Sequence, residues 1–220
     1  SMCGGIYMNL SFVFMASGFG KRFGANKLYV PLEGKPLYRH GLECLMETAV
    51  RLRQEDGHQV RLVVVSQYRK ILEDGERLGL ETVYNGASDE GITASLRLGT
   101  EAGGEDGDIF LFFVADQPYM KSATLTEFVR GFIKSGFGMG CVCSMGKRGN
   151  PAAFSRLYRE ELLSLRGDKG GSVIMKKHPM DVWSMEVSEN ELKDIDVQAD
   201  LDREQEQPAK MQAGKRWNNE

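Results

Sequence analysis

Continuous apolar runs and amphipathic segments alternate along most of the chain. The runs at residues 10–16, 60–66 and 109–115 predict strands that are buried on both faces, as in a parallel sheet covered by helices. Apolar residues at helical spacing predict a long helix over residues 36–53, with Pro36 in its first turn. Shorter patterns predict helices over 68–78, 93–102 and 124–134, and strands over 81–84 and 138–144.

This alternation predicts a single α/β domain with a mostly parallel sheet and helices on both faces. Right-handed crossovers place the loops after residues 10–16 and 109–115 at the same sheet edge. Open α/β sheets bind ligands at that edge, so we expect the chemistry there.

The last third of the chain is less regular. Gly149-Asn150-Pro151 predicts a turn, and residues 155–165 predict an amphipathic helix. A glycine-rich loop is predicted at 167–171 and a strand at 180–187. The sequence turns polar beyond Asp202, so we predict a domain over 8–202 and a mobile tail over 203–220.

Composition and charge exclude several classes of protein. The hydrophobic fraction of 41% and the charged fraction of 27% are those of an ordinary globular protein. A net charge of -3 provides no basic field for nucleic acid, and no apolar run is long enough to span a bilayer. The N-terminus lacks the basic start and apolar run of a secretion signal, so a cytoplasmic location is expected. The four cysteines show no Cys-x-x-Cys spacing, which favours reduced thiols over a zinc site.

The first predicted strand leads directly into a glycine-rich loop that carries cations. Gly18 and Gly20 allow a tight bend and close approach of the backbone to a ligand, and the cations Lys21, Arg22 and Lys27 suit a polyphosphate. The spacing matches neither the dinucleotide-binding glycine motif nor the P-loop. A plain turn with solvated lysines remains the alternative.

Aspartates at two later positions in the chain are candidate metal ligands. Asp116 comes directly after the apolar run 109–115, where its carboxylate suits Mg²⁺ together with substrate phosphates. The alternative is an aspartate that caps a turn or a helix. Asp194 and Asp196 point the same way if this segment is extended, and a solvated acidic loop is the alternative there.

The segment 91–96 begins the helix predicted over 93–102. A helix N-terminus can bind a phosphate or a base edge, although Gly91 and Thr93 also suit simple capping. No serine lies in a nucleophile-elbow motif, and the three histidines are scattered, so the sequence offers no protein nucleophile.

Six stretches together resemble a known family. Residues 15–27 with 31–37 resemble the opening signature of nucleotidyltransferases that have one Rossmann-like domain. The later stretches resemble the molybdenum cofactor cytidylyltransferase group and occur in the same order: 91–96, 115–118, 149–154, 162–171 and 194–196. The resemblance covers roughly residues 10–202.

The resemblance implies a single Rossmann-like nucleotidyltransferase domain and Mg²⁺-dependent transfer of CMP from CTP to molybdopterin. Arg22 and Lys27 would stabilise the leaving pyrophosphate, and Asp116 and Asp196 would hold Mg²⁺. The nucleotide would contact Ala16, Ser17, Gly18, Gly20, Lys21, Arg22, Lys27, Thr93 and Ser95. The acceptor would contact Asn150, Pro151, Asp168 and Gly170. A recipient molybdoenzyme is the implied protein partner.

Two positions bear on the choice of base. Ser17 is small but has a Cβ, which is closer to the cytidylyl group than the glycine of guanylyl relatives. Asp194-Ile-Asp196 is also closer to the cytidylyl group, whereas Val197-Gln198-Ala199 departs from the Thr-Pro-Glu of the family. The alternatives are a guanylyltransferase, a sugar- or polyol-phosphate nucleotidyltransferase, and a silent protein that binds the nucleotide or hands on the cofactor.

Overall fold

A central sheet of seven strands dominates the computed structural model, which describes residues 5–17 and 26–195. Its strands are arranged in the order β5-β4-β1-β6-β8-β7-β9. Their bounds are β1 Asn9–Ala16, β4 Gln59–Ser66, β5 Glu81–Tyr84, β6 Ile109–Val114, β7 Met139–Ser144, β8 Lys147–Ser155 and β9 Val182–Glu186. A small hairpin is formed by β2 Pro31–Leu32 and β3 Lys35–Pro36.

Helices connect these strands. Their bounds are α1 Asn26–Tyr29, α2 Leu37–Asp56, α3 Arg69–Arg77, α4 Ile92–Gly103, α5 Ser122–Ser135, α6 Arg159–Leu163 and α7 Ser172–Lys177. Within the described ranges, no helix has the length and apolar character needed to cross a membrane.

Parallel pairing joins β1 to both of its neighbours. β1 pairs with β4 from Asn9↔Gln59 to Ala16↔Ser66. It pairs with β6 from Leu10↔Ile109 to Met15↔Val114. The carboxyl ends of β1, β4 and β6 therefore meet at one edge, as expected for the strands predicted at 10–16 and 109–115. The loop after β1 lies largely in residues 18–25, outside the described residues.

Alternate residues of the buried strands pack on opposite faces of the sheet. Phe12 and Phe14 of β1 lie in an apolar cluster with buried residues of α2 and α5. Val13 and Met15 lie in a second cluster with residues of α4, α6 and α7. The mostly parallel sheet with helices on both faces is confirmed, because among the described strands of this sheet only β8 runs antiparallel to its neighbours.

The predicted turn at Gly149-Asn150-Pro151 is wrong. These residues lie inside β8, which pairs with β6 on one side and β7 on the other. The register on β7 shifts from Cys141↔Ala152 to Val142↔Gly149, which is a bulge. A bulge interrupts the ladder of hydrogen bonds, so a proline without an N–H can lie there.

The helix predicted over 155–165 is also only partly present. A 3₁₀ turn at Arg156–Tyr158 precedes the five-residue α6. Helix α7 was not predicted, because it follows a glycine-rich loop and is only six residues long. The predicted strand at 180–187 is present as the shorter β9.

Asp181 fixes the start of the edge strand β9. The backbone N–H of Gly138 donates a hydrogen bond of 2.9 Å to Asp181 Oδ1, and the hydroxyl of Tyr158 donates to Oδ2. These two bonds hold the pKa of Asp181 below its ordinary value. The carboxylate therefore links the starts of β7 and β9 to the turn that follows β8.

We predict that Asp181→Asn lowers the free energy of unfolding at pH 7 by about 1–2 kcal/mol, because charged acceptors form the stronger hydrogen bonds. The folded-state pKa of Asp181 is lowered, so its contribution is complete above the unfolded pKa and is lost as the pH falls through the folded pKa. Urea unfolding from pH 7 to pH 3 should show the difference from wild type shrinking below about pH 4. Asp106→Asn, at an exposed carboxylate, is the control. A difference that does not depend on pH would contradict this assignment.

Candidate active site

The carboxyl ends of β1, β4 and β6 are joined by hydrogen bonds. The N–H of Ala115 donates to Met15 O at 3.0 Å. The hydroxyl of Ser66 donates to Ala16 O at 2.7 Å, and that of Ser17 donates to Val65 O at 3.4 Å. Ala16 and Ser17, both predicted to contact the nucleotide, are therefore buried and held against β4.

Lys27 and Asp116 form a buried ion pair at this edge. Lys27 Nζ lies 3.5 Å from Asp116 Oδ2, and the two side chains are only 7% and 9% exposed. Asp116 follows β6, and Lys27 lies in α1, which is anchored by the buried Leu28. The structure thus brings together two predicted site residues from distant parts of the sequence.

The segment that leads to Asp196 is fixed beside Asp116. The N–H of Ile195 donates to Asp116 O at 3.1 Å, and the Ile195 side chain is fully buried. Asp194 is exposed and lines an adjacent cleft. Asp196 lies outside the described residues, as do Gly18, Gly20, Lys21 and Arg22, so their predicted roles remain predictions.

A buried polar cluster lies beside the end of β4. The N–H of Asn85 donates to Ser66 O at 2.9 Å, and its side-chain amide donates to Ser95 Oγ at 3.2 Å. Ser95, predicted to contact the nucleotide, is therefore bonded to the segment after β5. Thr93 is also fully buried, and its hydroxyl has no hydrogen-bond partner within the described part of the chain. Sequence reasoning missed Asn85, although a polar residue directly after a strand at this edge was the available signal.

The predicted acceptor loop packs against the start of α4. Gly91 has φ 68° and ψ -148°, and a Cβ there would lie 1.8 Å from Asp168 Oδ1. Only glycine fits, because the backbone conformation and the neighbouring carboxylate both exclude a side chain. Asp168 therefore lies against the N-terminus of α4, in the same loop as the buried Gly170.

Two cavities open beside this edge. The larger has a volume of about 910 Å³, and its lining includes Gln117, Arg148, Asn150, Lys193 and Asp194. The smaller, of about 300 Å³, shares Arg148, Gly149 and Asn150 with it. Asn150 thus lines both cavities, and Pro151 is buried beside it in β8. Sequence reasoning did not select Gln117 or Arg148.

The side chains at this edge fit a magnesium or manganese ion. Asp116 provides the oxygen ligands that these hard cations prefer. Within residues 5–17 and 26–195, no group of three or more His, Cys, Asp and Glu side chains is placed to hold a metal. This donor set suits an ion that takes one or two carboxylates and completes its shell with water and substrate phosphates.

Comparison with known proteins identifies the family. The family profile described as MobA-like NTP transferase domain matches residues 12–182. The chain belongs to the MobA-like NTP transferase family. A search of curated protein sequences finds no significant match.

Solved structures share the fold of this NTP transferase. The structure of Mycobacterium tuberculosis Rv0371C in complex with manganese is 20% identical, with a TM-score of 0.65 over 90% of this chain and 98% of that one. The 4-diphosphocytidyl-2C-methyl-D-erythritol synthase of Anaerococcus prevotii is 12% identical, with a TM-score of 0.70 over 92% and 99%. The molybdopterin-guanine dinucleotide biosynthesis protein A of Archaeoglobus fulgidus is 18% identical, with a TM-score of 0.62 over 93% and 100%.

We predict that Lys27 and Asp116 are energetically coupled in the NTP transferase without ligands. Lys27→Met and Asp116→Asn should each lower the free energy of unfolding by about 3 kcal/mol, because each leaves the other buried charge without this partner. The double variant should lose less than the sum of the two, as measured by chemical denaturation. The exposed pair Lys35–Glu43 is the control, and Lys35→Met should cost less than about 1 kcal/mol. Additive losses at Lys27 and Asp116 would show that the pair is not coupled.

Proposed function

We propose that this NTP transferase carries out the Mg²⁺-dependent transfer of CMP from CTP to the terminal phosphate of molybdopterin, with release of pyrophosphate. The product would be handed to a molybdoenzyme. Membership of the NTP transferase family supports nucleotidyl transfer. The resemblance of the motifs to the cytidylyl group supports this base and this acceptor.

The observation that carries the proposal is the buried Lys27–Asp116 pair at the joined ends of β1 and β6. A carboxylate and a cation held at this edge provide both a metal ligand and positive charge for a triphosphate. The N–H of Ile195 donates a hydrogen bond to the backbone carbonyl of Asp116. This bond supports Asp196 as the second carboxylate, because it holds the residue before Asp196 beside Asp116.

The proposed reaction is a displacement at phosphorus. An oxygen of the acceptor phosphate forms a bond to the α-phosphorus of CTP, and the bond from that phosphorus to the bridging oxygen of the β-phosphate breaks. The electron pair leaves with pyrophosphate, and no protein nucleophile takes part. Bound Mg²⁺ would neutralise phosphate charge during this step.

The protein residues act by positioning and by electrostatic stabilisation. Asp116 would hold the metal ion, and Lys27, 3.5 Å from it, would place a cation at the leaving pyrophosphate. The pair is nearly excluded from water, which strengthens both effects. Arg22 would add a second cation from the glycine-rich loop, in line with the resemblance.

The choice of cytosine rests on Ser17. This side chain is buried at the end of β1, and its hydroxyl is bonded to Val65 O. Its Cβ reduces the space that glycine would leave for a larger purine. The similar structures include a 4-diphosphocytidyl-2C-methyl-D-erythritol synthase and a molybdopterin-guanine dinucleotide biosynthesis protein. Similarity of fold therefore does not decide between cytosine and guanine, and the base needs a direct test.

We predict that CTP binds more tightly than GTP in the presence of Mg²⁺, because Ser17 narrows the base site. Isothermal titration calorimetry with both nucleotides measures the ratio, and Ser17→Gly should shift it towards GTP. Tighter binding of GTP by the wild type would contradict the cytidylyl assignment and would indicate a guanylyltransferase instead.

We predict that Asp116→Ala lowers kcat for pyrophosphate release by at least about 10²-fold, the usual cost of losing one electrostatic stabiliser. The assay supplies CTP, Mg²⁺ and molybdopterin, and circular dichroism checks that the variant is folded. Asp106→Ala removes an exposed carboxylate and is the control. If the wild type releases no pyrophosphate with any NTP, the silent nucleotide- or cofactor-binding protein is correct instead.

A further inference from the structure

The short helix α1 carries Lys27 to Asp116, but its own hydrogen bonds cannot fix its position. It has only four residues, Asn26–Tyr29, and isolated helices of this length are unstable in water. Contacts with the rest of the fold must therefore place it. The fully buried side chain of Leu28 provides one such contact. A single buried side chain does not fix the rotation of this helical turn, and that rotation decides whether Lys27 reaches Asp116.

Aromatic rings and a cation surround the last residue of α1. The ring of Tyr29 meets that of Tyr38 edge to face, with centroids 6.3 Å apart. It meets the ring of Tyr68 in the same manner, with centroids 6.2 Å apart. Lys70 Nζ lies 5.1 Å from the centroid of the Tyr29 ring, which is a cation–π contact. We call Tyr29, Tyr38 and Tyr68 the tyrosine clamp.

The two rings on which the last residue of α1 packs are themselves fixed. The hydroxyl of Tyr38, in the first turn of α2, donates to Asp74 Oδ2 of α3 at 2.6 Å. The N–H of Tyr68 donates to Ser66 Oγ at 3.0 Å. Ser66 Oγ in turn donates to Ala16 O at 2.7 Å. The tyrosine clamp therefore joins α1 to α3 and to the end of β1.

Tyr29 and Lys27 project from opposite sides of α1. Residues two apart in an α-helix point about 200° apart, because each residue turns the chain by about 100°. When the clamp holds Tyr29 on one side, Lys27 consequently extends from the other, where its Nζ lies 3.5 Å from Asp116 Oδ2. The contacts of one side chain thus set the direction of the other.

We propose that Tyr29 is a positioning residue for Lys27: the tyrosine clamp fixes the rotation of α1, and this rotation brings the Lys27 ammonium group to Asp116 and to the phosphates of the nucleotide. Tyr29 acts only through Lys27 and touches neither the nucleotide nor the metal. The part of the inference that concerns phosphates rests on the proposed transfer reaction. The part that concerns the Lys27–Asp116 pair is independent of it.

Double-mutant cycles measure the coupling between Lys27 and Asp116 in different Tyr29 backgrounds. The free energies of unfolding of Lys27→Met, Asp116→Asn and the double variant are compared in wild type, Tyr29→Leu and Tyr29→Phe. Tyr29→Leu removes the ring but keeps an apolar side chain, so the coupling should fall to less than about half of its wild-type value. Tyr29→Phe should retain the coupling, because the clamp contacts are made by the ring.

Asp181→Asn is the control for a general loss of stability. Asp181 lies just before β9, which is the edge strand on the opposite side of β1 from β4 and Tyr68. This variant should lower stability and leave the Lys27–Asp116 coupling unchanged. If Tyr29→Leu does not fold, Lys70→Met replaces it and should lower the coupling by at least about a quarter. Full coupling in the variant used, or an equal loss in Asp181→Asn, would overturn the proposal.

Kinetic measurements separate this inference from the proposed function. With CTP, Mg²⁺ and molybdopterin, Tyr29→Leu should lower kcat for pyrophosphate release at least about ten-fold and change KM for CTP less than about three-fold, because Lys27 acts on charge that develops in the transition state. Tyr29→Phe should keep the wild-type kcat. Loss of coupling in a protein that transfers no nucleotide would support the clamp and contradict the proposed function. An unchanged kcat for Tyr29→Leu, with an active wild type, would contradict the positioning role and leave the transfer reaction standing.

Discussion

The parallel pairing of β1 with β6 is the constraint on which the rest of the structure depends. It aligns Leu10↔Ile109 through Met15↔Val114, so both strands end together. Ser17 and Asp116 consequently lie at the same edge of the sheet. A slip of this register by one residue would turn the side chains of β6 to the opposite face and disrupt both apolar clusters. The same pairing that builds the core therefore also sets the geometry of the site.

The buried Lys27–Asp116 ion pair lies at the edge that this strand pairing creates. Buried ion pairs contribute little net stability, because the loss of hydration offsets the attraction between the charges. Their retention at the ligand edge of an NTP transferase is better explained by the chemistry of phosphates than by stability. The hydrogen bond from the N–H of Ile195 to the backbone carbonyl of Asp116 also holds the last described residues of the chain beside this pair.

The sequence predicts the parallel half of the fold well, because long apolar runs and amphipathic helices have distinct periodicities. The segment 81–84, for example, matches the observed strand β5. The antiparallel strand β8 was missed, because Gly149 and Pro151 together are typical of a turn. Only the pairing of β8 with two neighbours, around a bulge, overrides that local preference. Tertiary hydrogen bonding of this kind has no signal in a single sequence.

The residues of the candidate active site could likewise be predicted only in part from the sequence. The proximity of Lys27 and Asp116 followed from topology, because parallel strands bring their carboxyl ends to one edge. Asn85 and Arg148 were missed, because their positions depend on how β5 and β8 are placed beside the central strands. Asp168 was assigned to acceptor binding, and the structure places it against Gly91 at the start of α4. The loop predicted to bind the acceptor and the helix predicted to bind the nucleotide therefore meet directly.

The central claim is that the edge where β1 and β6 end is a metal-dependent site of nucleotidyl transfer. A crystal structure with CTP and Mn²⁺, solved with anomalous data, tests it most directly. We expect an anomalous peak within bonding distance of the Asp116 carboxylate, about 2.1 Å for an ion that replaces Mg²⁺, with the α-phosphate facing the cavity that contains Arg148. Triphosphate and metal bound away from Asp116 would contradict it.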